Sequence, residues 1–119
     1  MSHLSVSQEI YTTLSSAFLA GEEVKITGIF DKVPLEQEGP YLVIGQLQSL
    51  EGRLLNASER MWAVDVHIWS SYQGRKEAVE IADAIRSALP EKWFFEELIV
   101  VEDTSGWYHG ILTIRGYDR

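Results

Sequence analysis

Asp65, His67 and His109 are the side chains with the most direct chemical potential: a carboxylate and two imidazoles. Such a set binds zinc, or passes a proton between an acid and a base. Asp65 and His67 are two residues apart and share one face if their segment is a strand. Bringing His109 beside them requires a strand pairing that sequence alone does not supply. The expected reading is ordinary outward-facing residues of a half-solvated sheet, with no metal site.

Two acidic pairs, Glu96-Glu97 and Glu102-Asp103, bracket the segment Leu98 to Val101. Two carboxyls held about 5 to 9 Å apart across a cleft hydrolyse glycosides. Neighbours on a regular strand point to opposite faces, so neither pair is expected to converge, and both are assigned to solubility and edge protection. Ser70, Ser71 and Ser105 are available hydroxyls, but none stands in a Gly-x-Ser-x-Gly elbow. No Gly-x-Gly-x-x-Gly or Walker-type loop is present to hold phosphates. The chain has no cysteine, which excludes disulfide frameworks, thiolate zinc sites, iron–sulfur clusters and cysteine nucleophiles. Asn56-Ala57-Ser58 spells a glycosylation acceptor. No basic stretch precedes an apolar run at the N-terminus, so no export signal is expected. Neither catalytic residues nor a cofactor are expected.

A chain of 119 residues suits one domain, 1–119, with one real core. Hydrophobic residues at 45% and charged residues at 24% are ordinary globular composition. Ten Lys and Arg against eighteen Asp and Glu give a net charge of −8. Gripping nucleic acid over a broad face requires a basic surface, so that class is excluded. No apolar run approaches the span of a bilayer, so no membrane partner is expected.

The apolar spacing of Val6, Ile10, Leu14, Ala17 and Phe18 predicts a helix over Ser5–Phe18, with Ser5 and Gln8 as a capping box and Gly21 as its stop. Gly28–Val33 reads as a short strand stopped by Pro34, and Tyr41–Ile44 as a strand apolar on both faces. Leu47–Glu59 reads as an irregular connection. From Met61 to Ser70 the pattern alternates, with Trp62, Val64, Val66 and Ile68 on the core face. Ala78, Ile81, Ala82, Ile85 and Leu89 form the stripe of a helix over Gly74–Leu89, ended by Pro90. Glu77 and Glu80 on its other faces are assigned to solubility. Phe94–Val101 and Tyr108–Tyr117 read as strands joined by the turn residues Asp103-Thr104-Ser105-Gly106. The order α-β-β-β-α-β-β predicts an α+β domain: a mostly antiparallel sheet with two helices on one face.

Three stretches, in this order, resemble the tail-completion, or tail-terminator, proteins of long-tailed bacteriophages, prophages and gene transfer agents. The first is Ile29-Phe30-Asp31-Lys32-Val33-Pro34 with Pro40-Tyr41-Leu42-Val43-Ile44-Gly45. The second is Val66-His67-Ile68-Trp69-Ser70-Ser71, continuing through Gly74-Arg75-Lys76-Glu77-Ala78 to Ile81-Ala82-Asp83-Ala84-Ile85. The third is Gly110-Ile111-Leu112-Thr113-Ile114-Arg115. With the first helix, the resemblance covers nearly the whole chain. It implies a non-enzymatic virion protein, assembled in the host cytoplasm. Its implied form is a homo-oligomeric ring, commonly a hexamer, that caps the tail tube and joins it to the head-side connector or stopper. An acidic ring suits passage of DNA without specific binding. The rival readings are another junction component, such as a stopper or adaptor, a small α+β metabolite-binding or hydrolytic enzyme, and a cytosolic interaction module unconnected with virions.

A ring needs contact surfaces. Trp62 is expected in the core, whereas Trp69 takes the opposite strand face and Trp107 opens the last strand. Aromatics of this kind anchor protein–protein interfaces. Leu54 and Leu55 stand on an otherwise polar connection beside Arg53. Arg53, Leu54, Leu55, Trp69 and Trp107 are therefore the candidate assembly residues.

Overall fold

The computed structural model describes residues 2–19, 25–51 and 60–118. Its elements are α1 (His3–Leu19), β1 (Ile29–Phe30), β2 (Tyr41–Glu51), β3 (Arg60–Ser70), α2 (Lys76–Ala88), β4 (Trp93–Glu102) and β5 (Tyr108–Asp118). They follow the expected order. The five strands lie as β1-β2-β3-β5-β4, antiparallel except for the parallel β1–β2 pair. Gly21, Arg53, Leu54, Leu55 and Asn56-Ala57-Ser58 lie outside the described residues.

β3 is the spine, paired with β2 on one side and along its whole length with β5 on the other. Its alternation puts Trp62, Val64, Val66 and Ile68 at 1% exposure or less on the inner face. Leu112 and Ile114 of β5, Leu42 of β2 and Trp93 of β4 complete the sheet side of the core. The helices close it with Val6, Ile10 and Leu14 from α1, and with Ala78, Ile81, Ala82 and Ile85 from α2. Both expected helical stripes face the core, because a spacing of three and four keeps each set on one side of its helix, although Ala17, Phe18 and Leu89 at their ends are only half-buried.

The ends of elements differ from the sequence reading. α1 starts earlier, and its cap is Ser2 with Ser5 rather than Ser5 with Gln8. The Ser5 N–H donates to Ser2 Oγ at 3.1 Å, and the Ser2 N–H to Ser5 Oγ at 2.9 Å. Each side chain thus satisfies the other's backbone donor, the role of a capping box one turn nearer the N-terminus. β1 is two residues rather than six. After Phe30 the chain turns into a loop whose return is tied by Thr27, with the Thr27 N–H donating to the Pro40 carbonyl at 2.7 Å and its hydroxyl to the Glu38 carbonyl at 2.7 Å. β2 runs well past Ile44 because a bulge between Ile44 and Leu47 breaks its alternation without ending its pairing with β3. The β4–β5 turn forms at the expected residues, closed by Gly106 N–H to the Asp103 carbonyl at 2.9 Å. Gly106 has φ of +92°, a conformation that side chains disfavour.

Glu77 does more than face solvent. The Ser70 hydroxyl, fully buried at the end of β3, donates to Glu77 Oε1 at 2.6 Å and accepts from the Tyr72 N–H at 3.2 Å. Arg75, the residue before α2, makes no side-chain cap. The start of α2 is therefore tied to the sheet through Glu77. Trp93 packs flat across Gly116 of β5, where an added Cβ would lie 2.4 Å from its indole.

Ile85→Ala should lower stability by about 2 to 5 kcal/mol. Arg75→Ala and Lys76→Ala, which remove exposed charges, should each cost about 1 kcal/mol or less. Thermal melts in the reverse order would mean that the other face of α2 is buried. Gly116→Ala should cost about 1 to 3 kcal/mol by displacing the Trp93 indole, a loss read by denaturant unfolding.

Candidate functional site

With both helices on one face, the other face of the sheet carries the side chains that point away from the core. Two ladders cross it. One runs Val101, His109, Trp69, Tyr41; the other runs Ile99, Ile111, His67, Val43, Phe30. Antiparallel sheets with one solvated face usually make that face polar. Here the two ladders are mostly apolar and aromatic.

The β3–β5 pairing places His109 diagonally beside His67. His67 Nδ1 and His109 Nε2 are 2.8 Å apart. The ring centroids are 5.0 Å apart and the planes 22° from parallel. That separation matches the N···N distance plus the two ring radii, so the imidazoles meet edge to edge in nearly one plane. This is an N–H···N hydrogen bond in which one ring donates and the other accepts. The Trp69 indole lies flat on His109, with centroids 3.9 Å apart and planes 7° apart. Burial, then the neighbouring His67, push His109 below the ordinary imidazole value of 6.5, partly offset by Asp103.

Asp65 shares the face with His67, as the alternation requires, but it is engaged elsewhere: it accepts from the Thr113 hydroxyl at 3.1 Å. Among the described residues no three ligand-type side chains converge. Among those residues the arrangement is a hydrogen bond between two imidazoles.

The acidic pairs need a correction. A bulge between Phe95 and Glu97 interrupts the alternation of β4, so Glu96 and Glu97 are both exposed instead of splitting between faces. Glu96 is engaged by Arg115, whose Nε lies 2.7 Å from Oε2. Asp103 belongs to the turn. It accepts from the Ser105 hydroxyl at 2.7 Å and the Ser105 N–H at 3.1 Å, which hold its carboxyl below the usual range.

Trp69 and Trp107, distant in sequence, frame one shallow, open depression of about 350 Å³ together with Val33, Pro34, Leu35 and Tyr41. Tyr41 and Trp107 are in ring contact at 5.9 Å. Trp107 also lies close over Gly39, where a Cβ would be 3.0 Å from its ring. Leu35, at the tip of the loop before β2, is 98% exposed. Sequence reading found the two tryptophans but missed Leu35, Pro34 and Tyr41. It also missed the exposed Phe94, Ile99, Val101 and Tyr117. The alternation of Ile99 and Val101 was the available signal for the last group.

His109 makes stability depend on pH. Its folded pKa is lowered, so the unfolded chain takes up the proton first. The stabilising contribution is complete above the unfolded value near 6.5 and is lost as pH falls from there toward the lower folded value. Denaturant midpoints of the native chain should fall between pH 7.5 and 5.5, with a smaller fall for His109→Gln. Identical slopes for the two would rule out this contribution.

The sequence profile of the family described as Tail completion protein gp17 matches residues 8–116. Comparison with curated proteins returns no match. Among solved structures, a chain from the virion of a native gene transfer agent particle superposes with a TM-score of 0.69 at 14% identity, covering 90% of this chain and 92% of that one. The bacteriophage SPP1 gp17 protein superposes with a TM-score of 0.61 at 23% identity, covering 97% and 89%. These likenesses establish a shared fold. The profile runs through both helices and every strand, and the chain belongs to the tail completion protein gp17 family, whose members are structural proteins of the virion rather than enzymes.

Proposed function

We propose that this protein forms a homo-oligomeric ring, hexameric by resemblance to tail terminators, that caps the finished tail tube and joins it to the head-side connector. One observation carries this reading: the helices cover one face of the sheet, and the other presents apolar ladders and the Trp69–Trp107 depression. A contiguous apolar surface of this kind marks a site of protein contact. The relative from the gene transfer agent particle is itself part of a virion, which agrees with this role. The net charge of −8 suits a ring through which DNA passes, because carboxylates repel phosphate. Trp69 and Trp107, with Arg53, Leu54 and Leu55 of the β2–β3 connection, are assigned to subunit and tube contacts.

The test is complementation, with heads, tails and joined particles counted by electron microscopy. Leu54→Asp, Leu55→Asp and Trp107→Asp should each reduce joined particles about tenfold or more, because an unpaired charge replaces a desolvated apolar contact. Asp65→Ala, His67→Ala and His109→Ala should leave joining at neutral pH largely intact. Normal joining in the first set with failure of His67→Ala would overturn the surface reading in favour of site chemistry. A copy that touches no identical neighbour in the assembled particle would overturn the ring.

A further inference from the structure

A ring of identical subunits needs two unlike patches on each copy, since the surface offered to one neighbour differs from the surface offered to the other. Building on the ring reading above, we infer that these two patches are the two edges of the sheet, with β4 as one of them. Its open edge receives the open stretch of β2, Leu47–Glu51, from a second copy, so that the sheet continues from subunit to subunit.

β4 is the outermost strand and ten residues long. It holds no proline or lysine, and Phe94, Ile99 and Val101 are exposed by 41%, 45% and 45%. A bulge and Glu96-Glu97 guard its first half and Glu102 its end, but Leu98–Val101 between them holds neither charge nor proline, and an apolar edge of this kind is a template for another strand. At the opposite end of the sheet, β1 pairs only with Leu42 and Val43. Past its bulge, β2 has no backbone partner on its outer side among the described residues. Among the described residues each copy therefore carries two open edges, one at each end of the sheet.

Charge selects which edges meet. β4 carries Glu96, Glu97 and Glu102 and no cation. Pairing β4 with β4 would line three carboxylates from each copy along one seam, with Arg115 bridging only Glu96. Like charges facing across strands destabilise a sheet. β2 from Tyr41 to Ser49 has no charged side chain, and its single acid, Glu51, is at its end. The acidic edge thus meets an uncharged one, a head-to-tail contact that propagates around a ring and does not stop at a dimer.

The chain has no native cysteine, so Ile99→Cys and Gln48→Cys can be combined in one full-length copy. Both native side chains are exposed. Particles assembled with this variant, treated with a short bifunctional maleimide, should give a ladder of cross-linked dimers and higher multimers, while either single variant gives none. Dimers from Ile99→Cys alone would show β4 meeting β4 and overturn the inference. Hydrogen exchange on the unsubstituted protein does not depend on cross-linker reach. On assembly, peptides from β4 and from Leu47–Glu51 should slow by about tenfold or more. A ring that assembles with unchanged exchange in β4 leaves the ring reading standing and removes the edge contact. Particles in which no two copies touch remove both.

Discussion

The strict alternation of β3 is the constraint on which the rest of this structure depends. A strand has two faces, and every second residue must go to the same one. Burying Trp62, Val64, Val66 and Ile68 against the helices leaves Asp65, His67 and Trp69 on the other face. A register slip of one residue would exchange the two sets and dissolve the core. Because β3 pairs with both β2 and β5, its choice of face is imposed on the neighbours, which is why His109 and Tyr41 fall in line with Trp69.

The polar groups of the outer face are mostly matched to one another. Asp65 takes the Thr113 hydroxyl, Glu96 takes Arg115, and His67 takes His109. A face whose titratable groups are paired in this way is suited to packing against another protein. It is poorly suited to acid–base work, which needs a group free to exchange protons with a substrate. The same logic applies at the start of α2. There the buried Ser70 hydroxyl finds Glu77, so a carboxylate on a surface helix orients that helix on the sheet.

The fold was legible where one local rule acted alone. The stripe of α2, the alternation of β3 and the Asp103–Gly106 turn each follow from the spacing of a few neighbours. The two bulges were not legible, because each breaks alternation for backbone reasons that side-chain types barely record. The first hid the length of β2 behind Gly45-Gln46. The second placed Glu96 and Glu97 on one side of β4 when regular pleating would have separated them. Of the candidate surface, Trp69 and Trp107 could be selected from their residue type and position. Their common depression could not, since it depends on the loop before β2 folding back over the end of the sheet.

By itself, the sequence determined the class of fold, the core, the absence of thiol chemistry and of a nucleotide loop, and the family likeness. These depend on composition and on periods of two or about four residues, which are local quantities. Tertiary structure alone decided that His67 and His109 are hydrogen-bonded, that Trp69 and Trp107 frame one surface, and that, among the described residues, β4 and the end of β2 are left with open edges. Each of these follows from strand order and register. Those are set by which faces can be buried together across the whole domain, so no short window of sequence contains them.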